Sequence, residues 1–151
     1  MLKNIPQNLS PELLKVLMEM GHGDELVLAD GNFPSASHTD RLIRLDGQMM
    51  PAVLESILKL FPLDTFVECP VTYMATPADE GNPVIWAAYA DILTATGNEQ
   101  MAIEQVDRFE FYRRSKQAYA IVATSETAFY ANIILKKGVI SSSFNRCSNT
   151  Y

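Results

Sequence analysis

Cysteine and histidine are scarce in this sequence, and their scarcity limits the chemistry that the chain can carry. Its 151 residues include two cysteines, Cys69 and Cys147, and two histidines, His22 and His38. Neither pair has the short spacing of a metal site, and Cys69 lies in an apolar run where a thiol behaves as a small hydrophobic group. We therefore expect no metal and free thiols, as is typical of a cytoplasmic protein.

Basic segments, long apolar runs and phosphate-binding loops are also missing. The net charge is −6 with no run of basic residues, so nucleic acid and anionic membrane surfaces are poor partners. No apolar stretch approaches the roughly 20 residues that cross a bilayer, and residues 1–11 lack the basic start and apolar centre of a signal peptide. Nucleotide-binding glycine patterns and the nucleophile elbow are absent, so we expect neither a nucleotide cofactor nor a serine or cysteine nucleophile.

The composition that remains is typical of a folded globular protein. Apolar residues make up 48% of the chain and charged residues 20%, and 151 residues suit one domain. Short apolar runs alternate with stretches of helical periodicity, which predicts a single compact α/β domain with helices flanking a mainly parallel sheet. We expect this domain to span residues 1–140 and a polar, irregular C-terminal tail to occupy residues 141–151.

The predicted elements follow from apolar periodicity and from capping residues. Ser10, Pro11 and Glu12 are typical of a helix start, and Gly21 is expected to end that helix as a C′ glycine. Further helices are predicted for residues 51–61, 83–95 and 109–118. Strands are predicted for residues 25–29, 41–46, 66–75, 103–106, 119–123 and 132–135, and the polar stretch 35–40 is expected to be a loop in which His38 is solvated or lies over a pocket.

Side chains that transfer protons or bind hydroxyl groups lie where the predicted elements end. His22, flanked by two glycines, precedes a buried strand, and Asp30 ends that strand. Ligands of open α/β sheets bind at the carboxyl ends of strands, so Asp30 marks a candidate ligand site. Together these groups indicate a pocket for a small polyhydroxyl ligand. The candidate residues are His22, Asp30, Arg108, Tyr130, Ala131 and Asn132.

Each candidate side chain also has an ordinary structural explanation. His22 can stabilise the C-terminal end of the preceding helix, and Asp30 can bond its own backbone in a turn. Arg108 can pair with a neighbouring carboxylate on the surface. Tyr130 can pack at the edge of the sheet, and Asn132 can belong to a turn. The functional interpretation depends on their joint occurrence at the ends of elements.

Three motifs closely resemble the L-fucose mutarotase / D-ribose pyranase family. They are Gly-His-Gly-Asp-Glu at 21–25 followed by Asp30, Arg-Phe-x-Phe-Tyr at 108–112, and Tyr-Ala-Asn with the following strand at 130–139. The resemblance covers roughly residues 1–140. It implies an enzyme that interconverts the α and β anomers of a free sugar without cofactor or metal. It also implies a compact α/β fold and a ring-shaped homo-oligomer with pockets near subunit contacts.

The resemblance also implies a role for each matched residue. His22 corresponds to the proton donor, and Asp30, Arg108 and Tyr130–Asn132 correspond to sugar-binding positions. Arginine at position 108 favours the fucose branch of the family over the ribose branch, whereas the Tyr-Ala-Asn triplet is closer to the ribose form. A D-ribose pyranase-type activity and a non-catalytic sugar-binding module therefore remain alternatives. The general base is open between Asp30, Tyr130 and a bound water.

Overall fold

Helices and strands alternate over most of residues 1–141, the part of the chain that the computed structural model describes. Ser10 caps the first helix as predicted, because its hydroxyl accepts a hydrogen bond from the Leu13 amide. The described helices are α1 Pro11–Glu19, α2 Ser35–His38, α3 Met50–Leu58, α4 Ile85–Ala95 and α5 Arg108–Gln117. The described strands are β1 Glu25–Ala29, β2 Leu42–Leu45, β3 Val71–Met74, β4 Ile103–Val106, β5 Ala120–Thr124 and β6 Ile133–Lys136.

The six strands form one sheet in the order β2-β5-β1-β6-β3-β4. Strand β5 pairs in parallel with β1 and β2, and β3 pairs in parallel with β4. Strand β6 runs antiparallel to both of its neighbours, β1 and β3. The predicted fold class, α/β with a mainly parallel sheet, is confirmed. The reversed strand was not anticipated, because apolar periodicity does not record strand direction.

Hydrophobic residues cover both faces of the central strands. In β1, Leu26 and Leu28 pack into a core formed with α1, α3 and α4, whereas Val27 and Ala29 pack into a second core on the opposite face. This second core includes Phe111 of α5. Burial on both faces explains why β1 is almost continuously apolar rather than alternating.

Three predicted features of the backbone differ from the structure. The extended run predicted at 66–75 is a strand only over Val71–Met74, because residues 66–70 contain bends and Pro70 cannot donate to a ladder. The helix α1 ends in an extended residue, Met20, and the left-handed glycine of this turn is Gly23 rather than Gly21. The stretch 35–40 is not wholly a loop, since it contains the short helix α2.

The predicted division into a domain of residues 1–140 and a tail of residues 141–151 stays a prediction. Apart from Ser141, the tail lies outside the described residues. Within residues 1–141, no helix is both long enough and apolar enough to cross a membrane.

Candidate functional site

Asp30 and Asn132 bind each other at the carboxyl end of β1. The Asp30 amide donates to Asn132 Oδ1 at 2.9 Å, and Asn132 Nδ2 donates to Asp30 Oδ2 at 2.9 Å. The other oxygen of Asp30 accepts from the Asn32 amide at 2.9 Å. These two side chains meet because β6 is antiparallel to β1, so that the residues before β6 lie beside the C-terminal end of β1.

Burial governs the electrostatics of Asp30. Desolvation raises the pKa of its carboxyl group above the ordinary value, and the negative charge of Glu126 acts in the same direction. Hydrogen bonds from Asn32, Asn132 and Phe33 oppose the rise without cancelling it. A carboxylate whose pKa is raised accepts a proton more readily, which suits a general base.

Helix α4 positions the backbone of Tyr130 and Ala131. Trp86 Nε1 donates to the Tyr130 carbonyl at 3.0 Å, and the Tyr89 hydroxyl donates to the Ala131 carbonyl at 2.7 Å. Tyr130 has a φ of 55°, the left-handed region that non-glycine residues rarely adopt. Such a conformation persists where surrounding contacts impose it, and α4 supplies these contacts. Sequence analysis missed this supporting role, since Trp86 and Tyr89 have the spacing of ordinary core residues.

A cavity of about 370 Å³ opens at the C-terminal end of β1. Its volume falls within the roughly 300–1,000 Å³ of typical small-molecule sites. Aromatic and thioether side chains form its walls, and carboxylate, amide and guanidinium groups project into it. It brings together Asp30, Arg108, Tyr130 and Asn132, whereas Ala131 is fully buried and does not line it. The other lining residues are Asn32, Phe33, Met74, Glu80, Tyr112 and Phe129.

Arg108 is the first residue of α5 and its side chain is not engaged by a carboxylate within residues 1–141. Asp107, its neighbour, instead caps the helix by accepting from the amides of Phe109 and Glu110 at 2.8 and 3.1 Å. The Arg108 guanidinium lies 5.1 Å from the centre of the Phe109 ring. The surface ion pair considered as an alternative is therefore not formed, and the guanidinium is available to a ligand.

His22 lies at the opposite end of the strands from this cavity. It precedes β1, whereas Asp30 follows β1, and a five-residue strand spans about 17 Å. Within one chain, His22 and Asp30 therefore do not contact the same small ligand. His22 borders a separate apolar groove of about 500 Å³ that includes Met18 and Val139.

Asp64 is the partner of His22 and was not among the predicted site residues. Asp64 Oδ1 lies 3.2 Å from His22 Nε2 and also accepts from the Phe66 amide at 2.9 Å. The Phe66 amide, followed by His22, lowers the pKa of the Asp64 carboxyl group, so it is ionised at neutral pH. An ionised carboxylate bonded to imidazole orients the ring. The two residues are 42 positions apart, and no short motif links them.

The segment that follows β6 joins the loops carrying His22 and Asp64. The Lys137 amide donates to the Asp24 carbonyl, and the Asp64 amide donates to the Lys136 carbonyl. Gly138 completes the connection by donating to the Pro62 carbonyl at 2.8 Å. A Cβ atom on Gly138 would lie 2.5 Å from the Leu63 carbonyl oxygen, so a larger residue cannot approach as closely.

No cluster of three or more histidine, cysteine, aspartate or glutamate side chains that could hold a metal ion occurs within residues 1–141. The polar groups of the cavity are instead the hydrogen-bonding types that recognise hydroxyl groups.

Comparison with known proteins identifies the family. A sequence profile of the RbsD / FucU transport protein family matches residues 3–140. The chain is 49% identical to the fucose mutarotase of Homo sapiens over 147 residues, which cover 93% of this chain and 95% of that protein. The chain therefore belongs to the RbsD / FucU family.

Solved structures support the same assignment. The fold matches the fucose mutarotase of Streptococcus pneumoniae in complex with L-fucose with a TM-score of 0.89 and 54% identity, covering 93% of this chain and all (100%) of that one. Bacillus subtilis RbsD complexed with D-ribose matches with a TM-score of 0.69 and 26% identity, covering 93% and 100%. The resemblance found in the motifs is confirmed.

Replacing Gly138 with alanine should destabilise the segment that holds the His22 and Asp64 loops together. Because the new Cβ meets backbone rather than a flexible side chain, we expect a loss of about 2–3 kcal/mol in the free energy of unfolding. Urea unfolding measures this loss, and the ring resonances of His22 should shift in NMR spectra. The control for the unfolding measurement is Gly21→Ala, whose added carbon makes only an ordinary contact of 3.8 Å with Asp24 Oδ2. An equal, small loss in both variants would contradict the role of close approach.

Replacing Asn132 with aspartate should place two carboxyl groups against each other in a buried site. We expect the free energy of unfolding at pH 7 to fall by about 2–4 kcal/mol, because the amide donor is lost and like charges repel. The raised pKa of the pair means that the folded state binds protons more readily than the unfolded state, so the deficit should shrink at pH 5. Urea unfolding at both pH values tests this, with the exposed Asn82→Asp as control. A deficit independent of pH would contradict it.

Proposed function

We propose that the protein is an L-fucose mutarotase that interconverts the α and β anomers of the free sugar by general acid–base catalysis. The observation that carries the proposal is the cavity in which Asp30, Arg108, Tyr130 and Asn132 converge. Membership of the family and the relatives named fucose mutarotase support it.

The proposed reaction needs two proton transfers and no co-reactant. The anomeric hydroxyl loses its proton as the bond between the anomeric carbon and the ring oxygen breaks, and the ring oxygen gains a proton. Rotation of the resulting aldehyde followed by ring closure gives the other anomer. His22, oriented by Asp64, supplies the proton to the ring oxygen, and Asp30 is the favoured base because burial raises its pKa. General acid–base catalysis contributes about 10²–10⁴-fold in rate.

The remaining groups of the cavity suit the binding of a deoxy sugar. Arg108 and Asn132 donate hydrogen bonds to hydroxyl groups, and the Asp30 and Glu80 carboxylates accept them. Phe33 and Met74 form an apolar wall that suits the methyl group of a 6-deoxyhexose such as L-fucose. D-Ribose has no such methyl group, so the wall favours fucose.

The separation of His22 from the cavity leads us to propose an assembly in which one copy supplies His22 to the cavity of the next. The two surfaces differ, so their contact is head-to-tail, and such contacts form rings when the rotation closes. Both surfaces carry exposed apolar side chains that suit an interface. Beside His22 these are Met18, Phe66 and Val139, and around the cavity they are Phe109 and Phe129.

We further propose that the protein is located in the cytoplasm, because a free thiol such as that of Cys69 is stable there.

Mixed oligomers test whether the site is shared between copies. His22→Gln removes the proton donor and Arg108→Gln removes a sugar ligand, so each variant alone should lose most of its anomer exchange. In randomly mixed rings, a site with both wild-type residues forms wherever an Arg108→Gln copy supplies His22 to a His22→Gln copy. Saturation-transfer NMR should therefore recover about a quarter of the wild-type rate.

The matched control is Arg113→Gln, which removes an exposed arginine from the same helix but not from the cavity. This variant alone should keep wild-type exchange. A mixture of the His22 and Arg108 variants that stays inactive after verified subunit exchange would refute a site shared between copies.

His22→Gln also separates catalysis from binding alone. A mutarotase should keep its affinity for L-fucose in this variant, within about threefold, while the rate of anomer exchange falls by 10²-fold or more. A panel of L-fucose, D-ribose and D-glucose in the same NMR experiment distinguishes the fucose proposal from the pyranase alternative. Sugar binding by the wild-type protein without acceleration of exchange would favour a non-catalytic module.

A further inference from the structure

Three aromatic rings pack edge-to-face behind one wall of the cavity. The ring centres of His38 and Tyr112 are 5.2 Å apart, those of His38 and Phe33 are 5.5 Å apart, and those of Phe33 and Tyr112 are 5.3 Å apart. We call these three residues the ring triad. Phe33 and Tyr112 line the candidate sugar cavity, whereas His38 does not. His38 therefore contacts the sugar site only through the other two rings.

The hydrogen bonds around His38 favour one tautomer of the neutral ring. The Ser37 hydroxyl donates to the Pro34 carbonyl at 3.0 Å, so its oxygen is free to accept from His38 Nδ1 at 3.2 Å. This assigns the proton to Nδ1 and leaves Nε2 as a bare acceptor. Within residues 1–141, Nε2 is buried and has no hydrogen-bond partner.

The charged groups near His38 are mainly positive. Lys116 of α5 shares an open concavity of about 700 Å³ with His38, together with Arg41, Asp40 and Tyr119. The Arg41 guanidinium lies over the Tyr119 ring, and its Nη1 donates to the Tyr119 carbonyl. A proton added to Nε2 would create a buried donor without an acceptor and a second cation beside Lys116. The neutral imidazole therefore fits this site, and the protonated one does not.

We propose that His38 is a positioning residue for sugar binding, which holds Phe33 and Tyr112 in place when neutral and releases them when protonated. This inference rests on the proposed function, because it takes the cavity lined by Phe33 and Tyr112 as the sugar site. It assigns His38 a role in affinity, not in proton transfer to the sugar. His22 and His38 thus have separate roles at opposite ends of the strands.

The direction of the pH effect follows from the surroundings of His38. Burial, followed by the positive charge of Lys116, lowers the pKa of His38 below the ordinary histidine value of 6.5, and a hydrogen bond to the Pro34 carbonyl opposes this only in part. The folded state consequently binds fewer protons than the unfolded state just below pH 6.5, and stability falls as the pH decreases through that range. Sugar binding, which needs the ordered wall, should weaken in the same direction.

The test follows kcat and KM for L-fucose anomer exchange in the full chain by saturation-transfer NMR between pH 5 and pH 8. In the wild type we expect KM to rise by about two- to fivefold from pH 7 to pH 5. His38→Phe keeps an aromatic ring but cannot titrate, so its KM should rise clearly less than that of the wild type over this range, with any remaining rise coming from protonation of Asp30. The pH profile of kcat, which reports on the acid and base, should be the same in both proteins.

Lys116→Gln provides the matched variant. Without the neighbouring cation, protonation of His38 is easier, so the rise in KM should begin at a higher pH than in the wild type. A KM rise that persists unchanged in His38→Phe, or that does not move in Lys116→Gln, would overturn the proposal.

Direct titration of the imidazole covers the case in which His38→Phe fails to fold. The chain has two histidines, so the two ring signals can be assigned with His22→Gln. Saturating L-fucose should lower the pH at which the His38 signal titrates, and an unchanged titration with bound sugar would overturn the proposal. Absence of anomer exchange in the wild type, with the His38 titration still responding to bound sugar, would refute the proposed function alone.

Discussion

The antiparallel pairing of β6 between β1 and β3 is the constraint on which the candidate site depends. Because β6 runs opposite to its neighbours, its first residues lie beside the C-terminal end of β1, and its last residues lie beside the N-terminal end of β1. One strand thereby places Asn132 against Asp30 and places Gly138 between the loops of His22 and Asp64. Ladder hydrogen bonds fix this register, so a slip of one residue would displace both ends together.

The two ends of the central strand β1 differ in how firmly their side chains are held. Asp30 and Asn132 are buried and joined by two hydrogen bonds, and α4 fixes the preceding backbone, so the cavity is preorganised for a ligand. His22 is about half exposed and is anchored through a single hydrogen bond to Asp64. A preorganised cavity and an exposed His22 fit the proposed site completed by a neighbouring copy, since His22 then has to reach outward.

Sequence reasoning identified the elements better than their connections. Apolar runs and helical periodicity located the strands and most helices, because burial on one or both faces leaves a local pattern. The short helix α2 was missed because four residues carry no periodicity, and the strand near residue 70 was drawn too long because apolar composition does not show a bend. Asp64, Trp86 and Tyr89 support the site through contacts with residues more than 40 positions away, and such contacts leave no local signal.

The sequence by itself determined the α/β class, the buried strands, the family motifs and the candidate side chains, because each depends on the kinds of residue present and their local spacing. Only the tertiary structure decided which candidates share a cavity. One cavity, at the C-terminal end of β1, brings together Asp30, Arg108, Tyr130 and Asn132. His22 lies at the other end of that strand. The physical reason is strand direction: two ends of a strand are adjacent in sequence but far apart in space, and hydrogen bonding between distant strands selects the neighbours of each end.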